Sequence, residues 1–432
     1  MRTHARQSQG PGRGEVRPAI PPLRYRKGVV IAMALVVAST AACATTPQAR
    51  VHSRAPAAVR DTLQLGATLT DKTKPTRSLP LPLLRSTVAF LNISLDSQGT
   101  GDPEPRPGVF DWRSLDARMA QITPVLRADP RLAVDMRVYA APPWMESSCS
   151  TPGCKVAVRP RYDGAFAQLV VAAARRYPEI HYYVVWNEFD GYDNARPWSA
   201  RAYTDMYNVV YSALKADHST LQVGGPYAPF LASHDGWGPG GLLNPRATAA
   251  FSYWLQHKKG ADFLAVDGRT APPGVTPTQP VTSTALFTDV TRWIARQPGS
   301  QHLPIWWMEW YARSNSLPAA EWDAVSAYTL LELAYSGAAN AFLWDAEDNG
   351  HPVTTPGLWN GGDGQGTALA PVFATLTQEL YGTDVTLSSP DPGVELLTNG
   401  SAFVAIDVSA TPRTADVLGR RLRLAAWQIV VR

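Results

Sequence analysis

From Thr62 to Tyr381 the chain alternates short apolar, β-branched and aromatic runs with longer segments whose apolar residues recur at helical spacing. This alternation constrains the fold most, because it predicts parallel strands joined by crossover helices. The strand-like runs are Thr62–Leu69, Ser86–Leu95, Leu132–Ala140, His181–Asp190, Leu221–Gly224, Phe263–Val266, Leu303–Arg313 and Asn340–Trp344. Between them, a helix N-capped by Asp111 is expected to place Leu115, Met119, Ile122 and Leu126 on one face. Further helices are expected at Asp163–Tyr177, Ala200–Ala216, Thr248–His257, Thr284–Gln297, Ala319–Tyr335 and Ala370–Tyr381. The pattern fits an α/β fold, a (β/α)8 TIM barrel over residues 61–382. An open doubly wound sheet is disfavoured, since no Gly-rich turn follows the first strand. Residues 383–432 hold short β-like runs split by Pro, Gly and Asn, and are expected to form a small β-rich appendage.

Two of the runs end in a glutamate: Val184-Val185-Trp186-Asn187-Glu188 and Ile305-Trp306-Trp307-Met308-Glu309. Such apolar runs suit strands buried on both faces. A carboxylate at the C-terminal end of a barrel strand sits where these folds keep their chemistry. One glutamate there is equally well a strand end facing water. Two, each after a Trp-rich strand, suggest acid/base and nucleophilic work on one bond.

The net charge of +4 does not point to nucleic acid. Residues 1–43 carry seven Arg and Lys against one Glu, so the remainder is slightly acidic. That basic segment ends Arg24-Tyr25-Arg26-Lys27 and precedes the apolar run Gly28–Ala42, the order of a secretory signal. Thr40-Ala41-Ala42-Cys43 resembles a bacterial lipobox, which would make Cys43 a lipidated N-terminus and the membrane a partner. Residues 44–60 are Ala-, Pro- and Thr-rich and read as a linker. The expected location is therefore outside the cell, either on the outer face of the membrane or free. Cys149 and Cys154 flank a Pro-Gly turn and can form a disulfide in an exported protein. Two thiols with no nearby histidine give no metal site, and no cofactor is expected.

Several stretches together resemble the retaining glycoside hydrolases of clan A, and glycoside hydrolase family 39, with its β-xylosidases and α-L-iduronidases, most closely. Trp186-Asn187-Glu188 is similar to the family's acid/base motif, with Phe189 where Pro is usual. Tyr203–Pro226 is similar to the helix and fifth strand ending in Val-Gly-Gly-Pro, and Pro304–Trp310 to the nucleophile strand. Phe110 to Asp116 resembles the second helix, and Leu422–Val431 the last strand of an accessory β domain. The resemblance implies a glycosidase acting on O-glycosidic bonds of an extracellular or cell-surface polysaccharide or oligosaccharide. Glu188 would be the acid/base and Glu309 the nucleophile, with carboxyl groups roughly 5–5.5 Å apart. Asn187 would bind the sugar 2-hydroxyl, and Trp344 and Trp144 would offer stacking faces.

The sixth strand departs from the family. His-x-Tyr is usual there, and the tyrosine assists the nucleophile; this chain has Val266-Asp267-Gly268-Arg269. Asp267 and Arg269 lie two apart, so an extended strand points both to one side, expected to be the substrate-binding side. Three roles for Arg269 follow: orienting Glu309, reading an acidic sugar, or pairing at the surface. The same departure keeps open a catalytically silent carbohydrate-binding barrel. A transglycosylase would need the same residues as a hydrolase.

Overall fold

The computed structural model describes residues 57–69, 79–95, 101–146, 157–189, 199–230, 245–270, 279–312, 317–348 and 356–432. Cys43, Cys149 and Cys154, with the expected leader, lipid site and disulfide, lie outside the described residues. A short strand β1 (Val59–Arg60) comes first. Eight parallel strands then close into a barrel: β2 (Gln64–Thr68), β3 (Phe90–Ser94), β4 (Ala133–Val138), β5 (Tyr182–Val185), β6 (Gln222–Pro229), β7 (Phe263–Arg269), β8 (Ile305–Tyr311) and β9 (Asn340–Leu343). Strand β9 pairs with β2, so no barrel edge is left open. The helices are α1 (Leu81–Thr87), α2 (Arg113–Ala128), α3 (Asp163–Arg176), α4 (Ala200–Asp217), α5 (Pro245–His257), α6 (Gln279–Thr282), α7 (Ala285–Ala295), α8 (Ala319–Ser336) and α9 (Ala370–Thr375). This is the expected (β/α)8 barrel.

Two local expectations differ. Ser86 and Thr87 end α1 rather than begin a strand, and the Thr87 hydroxyl bonds back to the Leu83 carbonyl. Asp111 is not the cap of α2. Trp112 holds that position, and the Asp111 carboxylate instead grips the Arg113 side chain and accepts from its backbone N–H. The buried face of α2 is Leu115, Met119, Ile122 and Val125.

One end of the barrel interior is filled by rings. Trp306 stacks on Phe263 with centroids 4.0 Å apart and meets Phe90 edge-on at 5.2 Å. Such pairs add about 0.5–1.5 kcal/mol each beyond the area they bury. Gly224 is needed here, because a Cβ would lie 2.2 Å from the Phe263 ring. The neighbouring Trp307 points outward, donating from Nε1 to the Thr291 hydroxyl at 2.9 Å and packing on Phe287 of α7.

A second sheet has the order β1, β12 (Asp384–Asp391), β13 (Val394–Thr398), β14 (Phe403–Asp407) and β17 (Ile429–Val431). The last two residues of the stretch read as a linker, Val59 and Arg60, pair antiparallel with Val385 and Asp384. Helix α8 packs against this sheet as well as against α7, and it is buried almost all round. A hairpin of β15 (Arg413–Val417) and β16 (Arg420–Leu424) completes the region. The short parallel pair β10 (Glu347–Asp348) and β11 (Trp359–Asn360) lies in the loop after β9.

Candidate active site

Parallel strands put their C-terminal ends on one face of a barrel, and the unusual residues of this chain gather there. Arg137 is next to last in β4, Asn187 and Glu188 follow β5, Tyr227 is near the end of β6, Asp267 near the end of β7 and Glu309 near the end of β8. All six are buried.

Two β-bulges set which way the key groups point. Ala265 pairs with Trp306 and Val266 with Trp307, but Asp267 pairs with Glu309, so Met308 is passed over. Trp306 faces inward and Trp307 outward; strict alternation would turn Glu309 outward to the helices. The extra residue turns it inward, beside Asp267. On β6, Pro226 pairs with Ala265 and Ala228 with Val266, leaving Tyr227 as the extra residue. Tyr227 has a φ of 55°, and its ring joins the barrel interior.

Glu309 is held by two donors. The Tyr227 hydroxyl donates to its Oε2 at 2.9 Å, and Arg137 Nη1 donates to the same oxygen at 3.3 Å. Arg137 is itself fixed: Nε and Nη2 reach the Ser94 hydroxyl at 3.1 and 2.8 Å. Its Nη1 also donates to Asn187 Oδ1 at 2.7 Å, tying the two glutamate-bearing strands together. A buried guanidinium stays charged and needs anionic partners. Burial, then the charge of Glu309, pushes the Tyr227 hydroxyl well above its ordinary pKa, so it remains a donor.

The carboxyls oppose one another. Burial, then the charge of Glu188, pushes Glu309 up to about 7, against the pull of Arg137 and the Tyr227 hydroxyl. Asp345, just past β9, adds to the upward push. Asp267 is also pushed well above its ordinary value, first by burial, then by the charge of Glu188 and a hydrogen bond with it. Glu188 reaches this cluster from a strained backbone: Trp186 has a φ of 73° and Glu188 of 39°. Left-handed conformations in non-glycine residues cost about 1–3 kcal/mol each and gather at functional sites. Trp186 meets Tyr139 and Phe166 edge-on at 5.5 and 5.7 Å, which holds the turn.

The other expected site residues are placed as follows. Arg269 pairs in register with Tyr311, and its Nη1 donates to the Tyr311 hydroxyl at 3.0 Å. The bonds to Glu309 come from Tyr227 and Arg137, so of the three roles open to Arg269, orienting Glu309 is carried by other residues. Trp344 follows β9 and leans on Tyr311 with centroids 5.0 Å apart. Trp144 lies in a short turn (Pro143–Met145) after β4, and its indole N–H is taken by the Glu104 carbonyl at 2.7 Å. Among the described residues, no group of three or more His, Cys, Asp or Glu is placed to hold a metal ion.

Arg137 and Tyr227 were missed in the sequence. Arg137 had a visible signal, a charge inside the apolar run Leu132–Ala140. Tyr227 follows the Val-Gly-Gly-Pro stretch directly, and the hydroxyl sought on the sixth strand is supplied from the fifth.

No family model matches the chain, and no curated protein matches it. Solved structures do. SrfJ from Salmonella typhimurium aligns with a TM-score of 0.60 at 13% identity, over 85% of this chain and 88% of that one. A family 39 β-xylosidase from Caulobacter crescentus aligns with a TM-score of 0.55 at 17% identity, over 84% and 81%. A family 30 endoxylanase from Clostridium papyrosolvens gives 0.55 at 12%, over 86% and 95%. At such identities the likeness establishes a shared fold.

Proposed function

We propose that the chain is a retaining glycoside hydrolase that cleaves O-glycosidic bonds of an extracellular or cell-surface polysaccharide by double displacement. The observation that carries this reading is the buried carboxylate of Glu309, braced by Tyr227 and Arg137 at the barrel mouth and within reach of the charge of a second glutamate, Glu188. Glycosidases named among the similar structures carry the same barrel.

In the first step Glu188 gives its proton to the leaving oxygen while Glu309 attacks the anomeric carbon, and the glycosidic bond breaks. Both bracing bonds fall on Oε2, so Oε1 is the oxygen offered to the sugar. In the second step Glu188 takes a proton from water, the water attacks the same carbon, and Glu309 leaves as carboxylate. Asn187 spends its Oδ1 on Arg137, so its amide N–H groups remain for a sugar hydroxyl. Trp344 and Trp144 supply stacking faces, and Arg269 a polar contact near the mouth. Export, with a lipid on Cys43, would place this chemistry outside the cell.

The silent barrel was favoured by the missing sixth-strand tyrosine, and Tyr227 removes that ground. A panel of aryl glycosides and plant and bacterial polysaccharides tests the reading. Release of sugar with retained anomeric configuration is expected. Glycan binding by folded protein with no turnover of any substrate would reject it. Products lengthened by added sugars would point to transglycosylation.

Tyr227→Phe removes one of the two braces on Glu309. Turnover is expected to fall about 10²-fold, as when a single oriented donor is lost from an active site. The acid side of the kcat/KM profile should also move up in pH. Protonated Glu309 cannot attack, so activity rises with pH toward the Glu309 value of about 7. Loss of a donor to the carboxylate disfavours ionisation and raises that limb. An unchanged profile measured on an aryl glycoside would contradict the role.

A further inference from the structure

Strands β7 and β8 continue toward the barrel mouth past Asp267 and Glu309, and end in a second register pair, Arg269 and Tyr311. Between Glu309 and Tyr311, Trp310 turns outward and stacks on Phe373 of α9 with centroids 6.5 Å apart. Alternation therefore turns Tyr311 to the same side as Glu309. Glu309 and Asp267 are buried, whereas Arg269, Tyr311 and Trp344 are half-buried and rim the opening. Tyr311 is held from two directions. Arg269 Nη1 donates to its hydroxyl oxygen at 3.0 Å, and the Trp344 ring lies against its ring with centroids 5.0 Å apart. The Thr270 N–H also donates to the Tyr311 carbonyl at 3.3 Å, which fixes the backbone there. A guanidinium only donates, so the Tyr311 O–H cannot bond back to Arg269. Among the described residues, no acceptor takes that proton. Burial pushes the hydroxyl up to about 12 against the pull of the Arg269 charge, so the proton stays on it at neutral pH.

Resting on the glycosidase reading above, we propose that Tyr311 is a specificity-determining residue whose O–H donates to a hydroxyl of a neutral sugar bound over Glu309, with Arg269 the positioning residue that aims it. A bond into one lone pair of the phenol oxygen restricts where its proton can point. Arg269 supplies that bond from the neighbouring strand, and the open direction is the barrel mouth. A sugar hydroxyl there replaces water as the acceptor at little cost. A sugar lacking that hydroxyl leaves the donor unpaired, and the difference is the discrimination. A neutral sugar fits because Glu188, Asp267 and Glu309 already bring three carboxyls to the strand ends, and Arg137 is bonded to Glu309. A sugar carboxylate would add a like charge to that group.

The test uses the aryl glycoside that wild type turns over fastest, its single-deoxy analogues and the matching uronide. Wild type is expected to lose about tenfold in kcat/KM on one deoxy analogue. Tyr311→Phe keeps the ring against Trp344 and should lose about tenfold on the parent, with little change on that same analogue. Arg269→Ala should show the same pattern, and the double variant should be no worse than Tyr311→Phe alone. Equal losses across the whole deoxy series, or no loss in Tyr311→Phe, would overturn the proposal. A loss in Arg269→Ala confined to the uronide would overturn it in favour of carboxylate reading. Wild-type protein that turns over no glycoside would refute the glycosidase reading by itself. Calorimetric binding of the same glycosides then decides Tyr311: weaker binding by Tyr311→Phe on the parent alone supports the contact, and equal binding or none overturns it.

Discussion

Replacing Glu309 with alanine is expected to lower turnover by about 10⁵-fold or more on every substrate, the scale seen when a catalytic nucleophile is deleted. Among the described residues, no other carboxyl has the two bracing bonds that Glu309 has. Asp267 sits on the neighbouring strand but is engaged with Glu188, and it lacks the braces that Tyr227 and Arg137 give Glu309. Glu188→Ala should behave differently. Its loss should be smallest with aryl leaving groups that depart without a proton, and largest on natural glycan. Steady-state kinetics on both substrate types separate the two roles. Wild-type rates for both variants on natural glycan would end the assignment.

Arg137→Met carries the second large effect, and it acts on stability as well as turnover. The guanidinium is buried and meets Ser94, Asn187, Tyr227 and Glu309. Removing it leaves Glu309 buried among Glu188 and Asp345 with no cation bonded to it. Breaking a buried pair from one side costs about 3–5 kcal/mol. Chemical denaturation should show a loss of that size. The surviving Glu309 gains a proton at higher pH, because the charge that favoured its ionised form is gone. The acid limb of activity should therefore rise beyond that of Tyr227→Phe. A stable variant with an unmoved limb would show that Arg137 does not set the state of Glu309.

The barrel was legible because its strands are buried on both faces and so stand out as apolar runs between amphipathic helices. Glu188 and Glu309 were legible for the same reason, as charges at the ends of such runs. The facing of Glu309 was not. Trp306, Trp307 and Met308 are apolar on both faces of the strand, so the bulge at Met308 leaves no mark in the hydrophobic pattern. Counting alternately from Trp306 would have turned Glu309 toward the helices. Tyr227 was hidden by a second bulge in the same way. Arg137 was visible but could not be assigned, since its partners come from β3, β6, β8 and the turn after β5. Those contacts depend on barrel closure, which no local spacing encodes. Arg269 shows the converse: its two-residue spacing from Asp267 was apparent, yet the observed partner is Tyr311 across the strand pair.

The central claim is that Glu309 forms a covalent bond to the sugar, and trapping that bond tests it most directly. Protein incubated with activated fluorosugars of the xylose, glucose and arabinose series should gain the mass of one glycosyl group. Peptide mapping should place that mass on the peptide containing Glu309, and the adduct should be absent from Glu309→Ala. A glycosyl group mapped to Glu188, Asp267 or any other residue would contradict the account. So would hydrolysis of the same sugars with inverted anomeric configuration and no adduct.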